Sequence, residues 1–106
     1  MSSDYLPESG KAFYRDYVAK FGQTGEPWAA YGYEAMSVAL TAIEDVCANG
    51  GDPTNRNSIR EAVFAIRNFN GILGSWSFDE NGDTTITNMI FSQVKNGIFE
   101  PIGLFK

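Results

Sequence analysis

Hydrophobic residues recur at helical spacing near the start of the chain. A first helix is predicted to begin near Pro7, because proline fits the first turn of a helix, and to end at Gly22, a typical C-cap residue. Apolar and aromatic side chains repeat on one of its faces at i, i+4 and i+8 positions. These residues are Phe13, Tyr14, Tyr17, Val18 and Phe21. The pattern predicts an amphipathic helix that packs by this face.

A second and longer helix is predicted from Trp28 or Ala29 to Ala48, ahead of a C-cap signal in the Asn-Gly-Gly sequence of residues 49–51. We expect its buried stripe to be Met36, Ala39, Leu40, Ile43, Val46 and Cys47. Cys47 is the single cysteine, so it cannot form an internal disulfide, and its position predicts a small core residue.

A third and shorter helix is predicted after the polar loop of residues 52–55. Ser58 and Glu61 have the spacing of a capping box, and Asn57 fits the cap position equally well. The apolar positions of this helix are Ile59, Val63 and Ile66.

Beyond residue 71 the hydrophobic period changes from helical to two, which predicts a strand over residues 72–78. Residues 79–83 form the predicted turn, and a second strand over about residues 85–94 is ended by Asn96-Gly97. Ile98 and Phe99 begin a predicted third strand, which Pro101 restricts to a sheet edge or an early end. Three helices followed by a β-hairpin and a short third strand form an α+β unit.

Composition narrows the range of functions. The 106 residues include 8 Lys and Arg against 13 Asp and Glu, for a net charge of −5, and no histidine. Without histidine, Ser-His-Asp and Cys-His catalysis and histidine zinc sites cannot occur within this chain. The basic residues are scattered singly rather than clustered, which argues against a nucleic-acid partner. Any catalysis would have to rest on carboxylates, lysine, tyrosine or the one cysteine, and we expect no cofactor, no metal site and no nucleic-acid interface.

The sequence pattern predicts neither a membrane-spanning helix nor a signal peptide. The apolar runs are far shorter than the roughly 20 residues of a membrane-spanning helix, so no membrane insertion is predicted. The first four residues, Met-Ser-Ser-Asp, lack the basic and apolar regions of a signal peptide. These observations predict a soluble chain.

The acidic turn of residues 79–83 places Asp79, Asn81 and Asp83 at the first, third and fifth positions of a calcium loop. Its glycine, however, is at the fourth position rather than the sixth, and Ile90 occupies the twelfth position, where such a loop needs glutamate. A hairpin turn explains these residues better. Most other carboxylates, a set that includes Glu34, are predicted on solvated surface, where catalysis by a carboxylate pair is poor.

Three aromatic residues, Trp28, Tyr31 and Tyr33, lie where a Gly/Pro-containing turn leads into the second helix. Aromatic side chains at a helix start suit the apolar wall of a small-ligand pocket, with backbone N–H groups available to an anion. They suit equally well a role in packing the turn against the core. Both interpretations stay open on the residues alone.

In order and spacing, several short motifs resemble one family. They are Phe13-Tyr14-Arg15-Asp16-Tyr17, Lys20-Phe21-Gly22, Pro27, Tyr31-Gly32-Tyr33-Glu34-Ala35, Ile59-Arg60-Glu61-Ala62, Phe69-Asn70-Gly71 with Gly74, Phe78-Asp79-Glu80-Asn81-Gly82-Asp83 and Asn96-Gly97. From about residue 9 to residue 102, the chain resembles the C-terminal region of branched-chain amino-acid ABC-transporter substrate-binding proteins. These are type I periplasmic binding proteins of the leucine/isoleucine/valine-binding family.

This resemblance implies an α/β parent fold of two lobes, joined by hinge strands, that closes on an amino acid or similar small solute. It implies a periplasmic or other extracytoplasmic protein that delivers the solute to ABC permease subunits and is not an enzyme. Trp28 is then expected against the ligand, with Tyr31 next and Tyr33 as a weaker candidate. The family commonly has Asp where this chain has Glu34, which implies a divergent member.

Family members are much longer than this chain, so residues 1–106 are expected to be a single fragment, the C-terminal portion of the two-lobe protein. Such a piece supplies only part of the cleft, and self-association as a homodimer or by strand exchange is predicted for it. The alternative functions are a ligand-sensing or regulatory domain of the same fold and a small α+β interaction module without a small ligand.

Overall fold

The computed structural model describes residues 3–105, and it contains the predicted three helices followed by strands. In chain order, the elements are a short 3-10 helix Ser3–Tyr5, α1 Glu8–Phe21, α2 Trp28–Ala48, α3 Arg56–Ala65, β1 Phe69–Gly71, β2 Gly74–Trp76, β3 Met89–Lys95 and β4 Ile98–Phe105. The strands pair as two separate antiparallel hairpins, β1 with β2 and β3 with β4. The α+β arrangement is confirmed, with two hairpins in place of one hairpin and a third strand.

Both ends of α1 and the start of α2 lie where the sequence predicts them. Gly22 ends α1 in the left-handed conformation, with φ of 71°, and its N–H donates to the Val18 carbonyl oxygen at 2.8 Å. The predicted face of α1 is only partly buried. Tyr14 is buried, whereas Val18 and Phe21, one turn further along, are exposed.

Of the predicted buried stripe of α2, Val46 is buried and Ala39 is half-buried, and the rest of the prediction is wrong. The buried side chains follow a strict i+4 spacing at Ala30, Glu34, Val38, Ala42 and Val46. Met36, Leu40, Ile43 and Cys47 are exposed, so Cys47 is not a core residue. The reason is that α2 has apolar side chains on more than one face, and α3 and the first hairpin pack against the face that carries Val38.

The α3 helix begins one residue after Asn55, which is its cap. The Asn55 side-chain oxygen accepts hydrogen bonds from the N–H groups of Asn57 at 3.0 Å and Ser58 at 3.2 Å. The predicted caps, Asn57 and Ser58, therefore lie inside the helix. Ile66 follows the helix directly and is buried.

The first hairpin contains a turn that the sequence pattern does not reveal. Ile72 and Leu73, predicted in a strand, form a two-residue turn between the paired glycines Gly71 and Gly74. Phe69 and Trp76 pair at the open end, with ring centroids 5.4 Å apart. The predicted strand is therefore confirmed only from residue 74.

The acidic turn of residues 79–83 is confirmed as a hairpin turn. The Asp79 N–H donates to the Asp83 carbonyl oxygen at 2.8 Å, and one Asp79 carboxylate oxygen accepts from the N–H groups of Asn81 and Asp83. Phe78 and Thr84 form a bridge at its base. The carboxylate that would begin a calcium loop thus organises the local backbone.

The second hairpin turns at Asn96 and Gly97, which have φ of 51° and 79°, as the sequence predicts. Its first strand begins at Met89 rather than at residue 85, and β4 continues past Pro101 to Phe105. The register shifts between Phe91, which pairs with Gly103, and Ser92, which pairs with Pro101. This irregularity accommodates the proline in a two-stranded sheet, where each strand is an edge.

Two hydrophobic clusters form the core. The first contains Leu6, Tyr14 and Ala30, with Phe13, Ile72 and Leu73 packed against it. The second contains Val38, Ile66 and Trp76, with Val63, Phe69, Phe78 and Ile86 at its border. Both clusters meet the first hairpin, so its turn and its open end are held against different parts of the helices.

Candidate functional site

The start of α2 brings Trp28 and Tyr31 together. Their ring centroids are 5.7 Å apart and their planes are tilted by 44°. Trp28 is 76% exposed, and Tyr31 is less exposed. An exposed indole beside a phenol offers a flat apolar surface with polar edges, which suits contact with a small ligand.

Tyr33, the third aromatic residue of the predicted group, lies apart from this pair. Its ring packs against Phe13 of α1, with the centroids 5.0 Å apart. Residues five positions apart on a helix, such as Trp28 and Tyr33, project in different directions. The structure therefore groups Trp28 with Tyr31 and places Tyr33 at the contact between α1 and α2.

The loop that leads into α2 is fixed against α1 by two tyrosines. The Tyr14 hydroxyl lies 3.2 Å from the carbonyl oxygens of both Glu26 and Pro27 and donates its proton to them. Gly25 packs on the Tyr17 ring, where an added Cβ would lie 3.0 Å from a ring carbon. Because this loop is held, the position of Trp28 at the first residue of α2 is defined.

A groove of about 430 Å³ lies beside Tyr31, between α2 and the chain that follows β1. Tyr31, Glu34 and Val38 line one wall, and Leu73, Trp76, Phe78 and Ile86 line the other. A small recess of about 60 Å³ shares Tyr31, Leu73 and Ile86 with the groove and extends it towards Leu6 and Leu104. The walls are mainly apolar, with Glu34 as the charged member.

Glu34 is the functional candidate that the sequence analysis misses, because carboxylates were assigned to solvated surface. It is only 3% exposed. One carboxylate oxygen accepts the N–H of Ile72 and the other accepts the indole N–H of Trp76, each at 2.8 Å. Gly71 lies so close that a Cβ there would overlap the carboxylate. The sequence signal is the Gly-x-x-Gly of residues 71–74, whose first glycine marks a close approach.

The polar groups around this groove are held in hydrogen bonds. Both Glu34 oxygens are engaged with donors of the first hairpin, and no buried polar side-chain atom within the described residues lacks a hydrogen-bond partner. Burial raises the pKa of the Tyr14 hydroxyl above its ordinary value, and the nearby Tyr31 and Tyr17 add to this rise. The protonated Tyr14 is thus favoured as a donor to the loop.

Across residues 3–105, no group of three or more cysteine or acidic side chains is arranged to hold a metal ion. In the same part of the chain, no helix combines the length and the apolar character needed to cross a membrane.

The chain is similar to known proteins over almost its whole length. The sequence profile of the periplasmic binding protein family matches residues 2–98. The solved structure of a leucine-binding protein from Thermotoga maritima is 32% identical, with a TM-score of 0.76 over 98% of this chain and 28% of that one. An ABC-transporter substrate-binding protein from Desulfitobacterium hafniense, solved in complex with leucine, shares the fold with a TM-score of 0.72 and 23% identity over 91% of this chain.

A curated relative comes from a different kind of protein. The metabotropic glutamate receptor-like protein E of Dictyostelium discoideum is 34% identical over 107 residues, which cover 95% of this chain and 11% of the receptor-like protein. The chain thus spans about a tenth of that relative and little more than a quarter of each solved structure.

Proposed function

The chain belongs to the periplasmic binding protein family, with the type I fold, and from this premise we propose that it is part of an extracytoplasmic solute-binding component of an ABC transporter. The proposed solute is an amino acid, branched-chain or similarly small, that the protein delivers to permease subunits. Similarity to a leucine-binding protein across almost the whole chain supports this assignment.

The exposed pair Trp28 and Tyr31 is the observation that carries the proposal. The pair lies beside an apolar groove and is presented by a loop that the Tyr14 hydroxyl fixes. We place Trp28 against the ligand, with Tyr31 as its neighbour. Tyr33 is the weaker candidate, because its ring packs on Phe13 instead.

We further propose that residues 1–106 form a C-terminal portion of a two-lobe protein and supply one wall of its cleft. The length of the solved relatives, of which this chain covers little more than a quarter, supports the proposal. By itself the chain carries many exposed apolar residues on α2, β3 and β4, which favours self-association as a homodimer or by exchange of the β3–β4 hairpin.

Calorimetric titration tests the proposed function. The protein expressed from the complete reading frame that encodes this chain should bind at least one of leucine, isoleucine, valine or a related amino acid with micromolar or tighter Kd. Trp28→Ala should weaken that binding by about 1–3 kcal/mol through lost apolar contact. Phe21→Ala, which removes another exposed aromatic ring, is the matched control and should leave affinity unchanged.

One result would contradict the function, and another would contradict the role of Trp28. The absence of binding across a broad panel of amino acids and small carboxylates would remove the proposed substrate class. An unchanged affinity in folded Trp28→Ala protein would assign Trp28 to packing of the loop instead.

A ligand-sensing domain of the same fold is the second candidate, and the identity with a metabotropic glutamate receptor-like protein is the observation in its favour. Genes for permease and ATPase subunits beside the complete reading frame would favour transport, whereas fusion to a signalling domain would favour sensing.

A further inference from the structure

We infer that Glu34 is a positioning residue that sets the geometry of the ligand-facing wall of α2, an inference that rests on the proposed solute-binding function. Among residues 4–105, whose burial the structure describes, Glu34 is the single charged side chain that is buried. Burying a carboxylate is costly unless its oxygens accept hydrogen bonds, so its presence in a mainly apolar groove calls for a specific role.

The Glu34 carboxylate connects α2 to two points of the first hairpin. Its oxygens accept the backbone N–H of Ile72, at the turn, and the indole N–H of Trp76, at the end of β2. A carboxylate is an acceptor at both oxygens, so it satisfies both donors at once. The two bonds together fix the distance from α2 to the turn and the orientation of the Trp76 ring.

The same residues form the groove beside the proposed ligand wall. Tyr31 precedes Glu34 by three residues and is therefore its neighbour on the helix surface. Both line the groove, and the opposite wall contains Trp76 together with Leu73, the residue after Ile72. The Glu34 hydrogen bonds thus determine the width of the groove between Tyr31 and the hairpin.

The first helix holds the hairpin turn from the other side. The Ser9 hydroxyl donates to the Gly71 carbonyl oxygen at 3.1 Å, and Gly10 lies so close to the Ile72 carbonyl oxygen that an added Cβ would approach to 2.5 Å. The turn is therefore confined between α1 and α2. If Glu34 loses an acceptor oxygen, the turn has little room to shift. The indole N–H of Trp76, a ring packed against Phe69 and Phe78, is then left without its acceptor, and the groove wall at Trp76 is where we expect the change.

A double-mutant cycle on the complete protein tests this role. In Glu34→Gln, the amide oxygen accepts one N–H while the amide NH₂ opposes the second donor, so the Kd for leucine should rise about tenfold. Trp76→Phe removes the indole donor and should raise Kd about threefold. The double variant should match Trp76→Phe alone, because the remaining amide oxygen then serves Ile72. Glu44→Gln, the same change at an exposed position of α2, is the matched control.

The readout is Kd by calorimetry at a temperature where circular dichroism shows every variant to be folded. A residue that only stabilises the fold would lower the melting temperature and leave Kd unchanged, and that result would overturn the inference. Effects on Kd that simply add in the double variant would also overturn it. If Glu34→Gln does not fold, an unchanged Kd in Trp76→Phe is sufficient to reject the role.

The two proposals fail in different ways. Wild-type and Glu44→Gln proteins that bind no amino acid would remove the proposed function and this inference with it. Wild-type and Glu44→Gln proteins that bind leucine equally, with Glu34→Gln indistinguishable from both, would remove the inference alone.

Discussion

Two regions of the chain are rich in large apolar side chains but use them differently. The first region consists of the helices and the first hairpin, and the second is the hairpin β3–β4. The buried hydrophobic residues all lie between Leu6 and Trp76. In residues 89–105 none is buried, and Phe99 is 75% exposed. The first region is ordered by side-chain packing, whereas the second is ordered by backbone pairing and its Asn-Gly turn.

This difference indicates where each region obtains its stability. A two-stranded hairpin without a packed face is marginal in water, and the exposed Lys95–Glu100 ion pair adds little. The apolar faces of β3 and β4 are therefore suited to contact with another protein surface. Substitutions that act through packing should be severe in the first region and mild in the second.

The largest difference in the effect of a substitution on the free energy of unfolding is expected between two strand glycines, Gly71 in β1 and Gly103 in β4. Gly71→Ala places a Cβ on the Glu34 carboxylate, which must move away from both of its donors. The free energy of unfolding should fall by about 4 kcal/mol, from overpacking and from the lost hydrogen bonds. Urea unfolding of the 106-residue chain, followed by circular dichroism, measures this loss.

Gly103→Ala is the matched control, because no atom lies within 4 Å of the position of its added Cβ. The free energy of unfolding should change by about 0.5 kcal/mol or less. Equal effects at the two glycines would contradict the contrast between the regions.

A smaller difference in the loss of unfolding free energy is expected when two isoleucines, one from each region, are replaced by alanine. Ile66 is 7% exposed and packs with Val38 and Trp76, whereas Ile98 in β4 is 66% exposed. Ile66→Ala should lower the free energy of unfolding by about 3 kcal/mol, through lost burial and the cavity left behind. Ile98→Ala should lower it by about 0.5 kcal/mol.

The same urea titrations distinguish the two isoleucines. Comparable losses would mean that β3–β4 is covered in solution by another surface, as in a self-associated chain, and sedimentation at several protein concentrations would then detect the assembly.

Sequence patterns predict those parts of the fold that depend on local backbone chemistry. Gly22 ends α1 and Asn96-Gly97 turns the second hairpin, because each needs positive φ, which glycine and asparagine adopt readily. The turn of residues 79–83 is similarly local, since Asp79 binds the backbone of its own loop. The family resemblance is confirmed by the profile match across residues 2–98.

Features that depend on distant partners are the ones that the pattern misses. The buried face of α2 is selected by α3 and the first hairpin, while Met36 and Leu40 are equally apolar but face outward. The Ile72-Leu73 turn is apolar because it packs on α1 and α2, so it resembles a strand. Glu34 is surrounded by residues that follow it by 38 to 42 positions, and no periodicity within α2 signals them.

The smallest expected effect concerns the Tyr14 hydroxyl in the packed region. Tyr14→Phe removes the donor to Glu26 and Pro27 and should lower the free energy of unfolding at neutral pH by about 1 kcal/mol. It should also change the alkaline response. Burial raises the pKa of Tyr14 above 10.0, its ordinary value, although a backbone hydrogen bond with Ala30 opposes the rise.

Because the pKa of Tyr14 is higher in the folded chain than in the unfolded chain, the folded state holds this proton more tightly. The resulting stability is present in full below about pH 10 and decreases as the pH rises through the folded-state pKa. Urea unfolding between pH 8 and pH 11 should therefore show a shallower alkaline loss of stability in Tyr14→Phe than in the wild type. Tyr33→Phe, which removes the hydroxyl of an exposed tyrosine, is the control at neutral pH and should leave the free energy of unfolding nearly unchanged there. If the free energy of unfolding fell with pH at the same rate in the wild type and in Tyr14→Phe, the loop would have to open and hydrate Tyr14 before the chain unfolds. Packing in the first region would then not extend to the loop that presents Trp28.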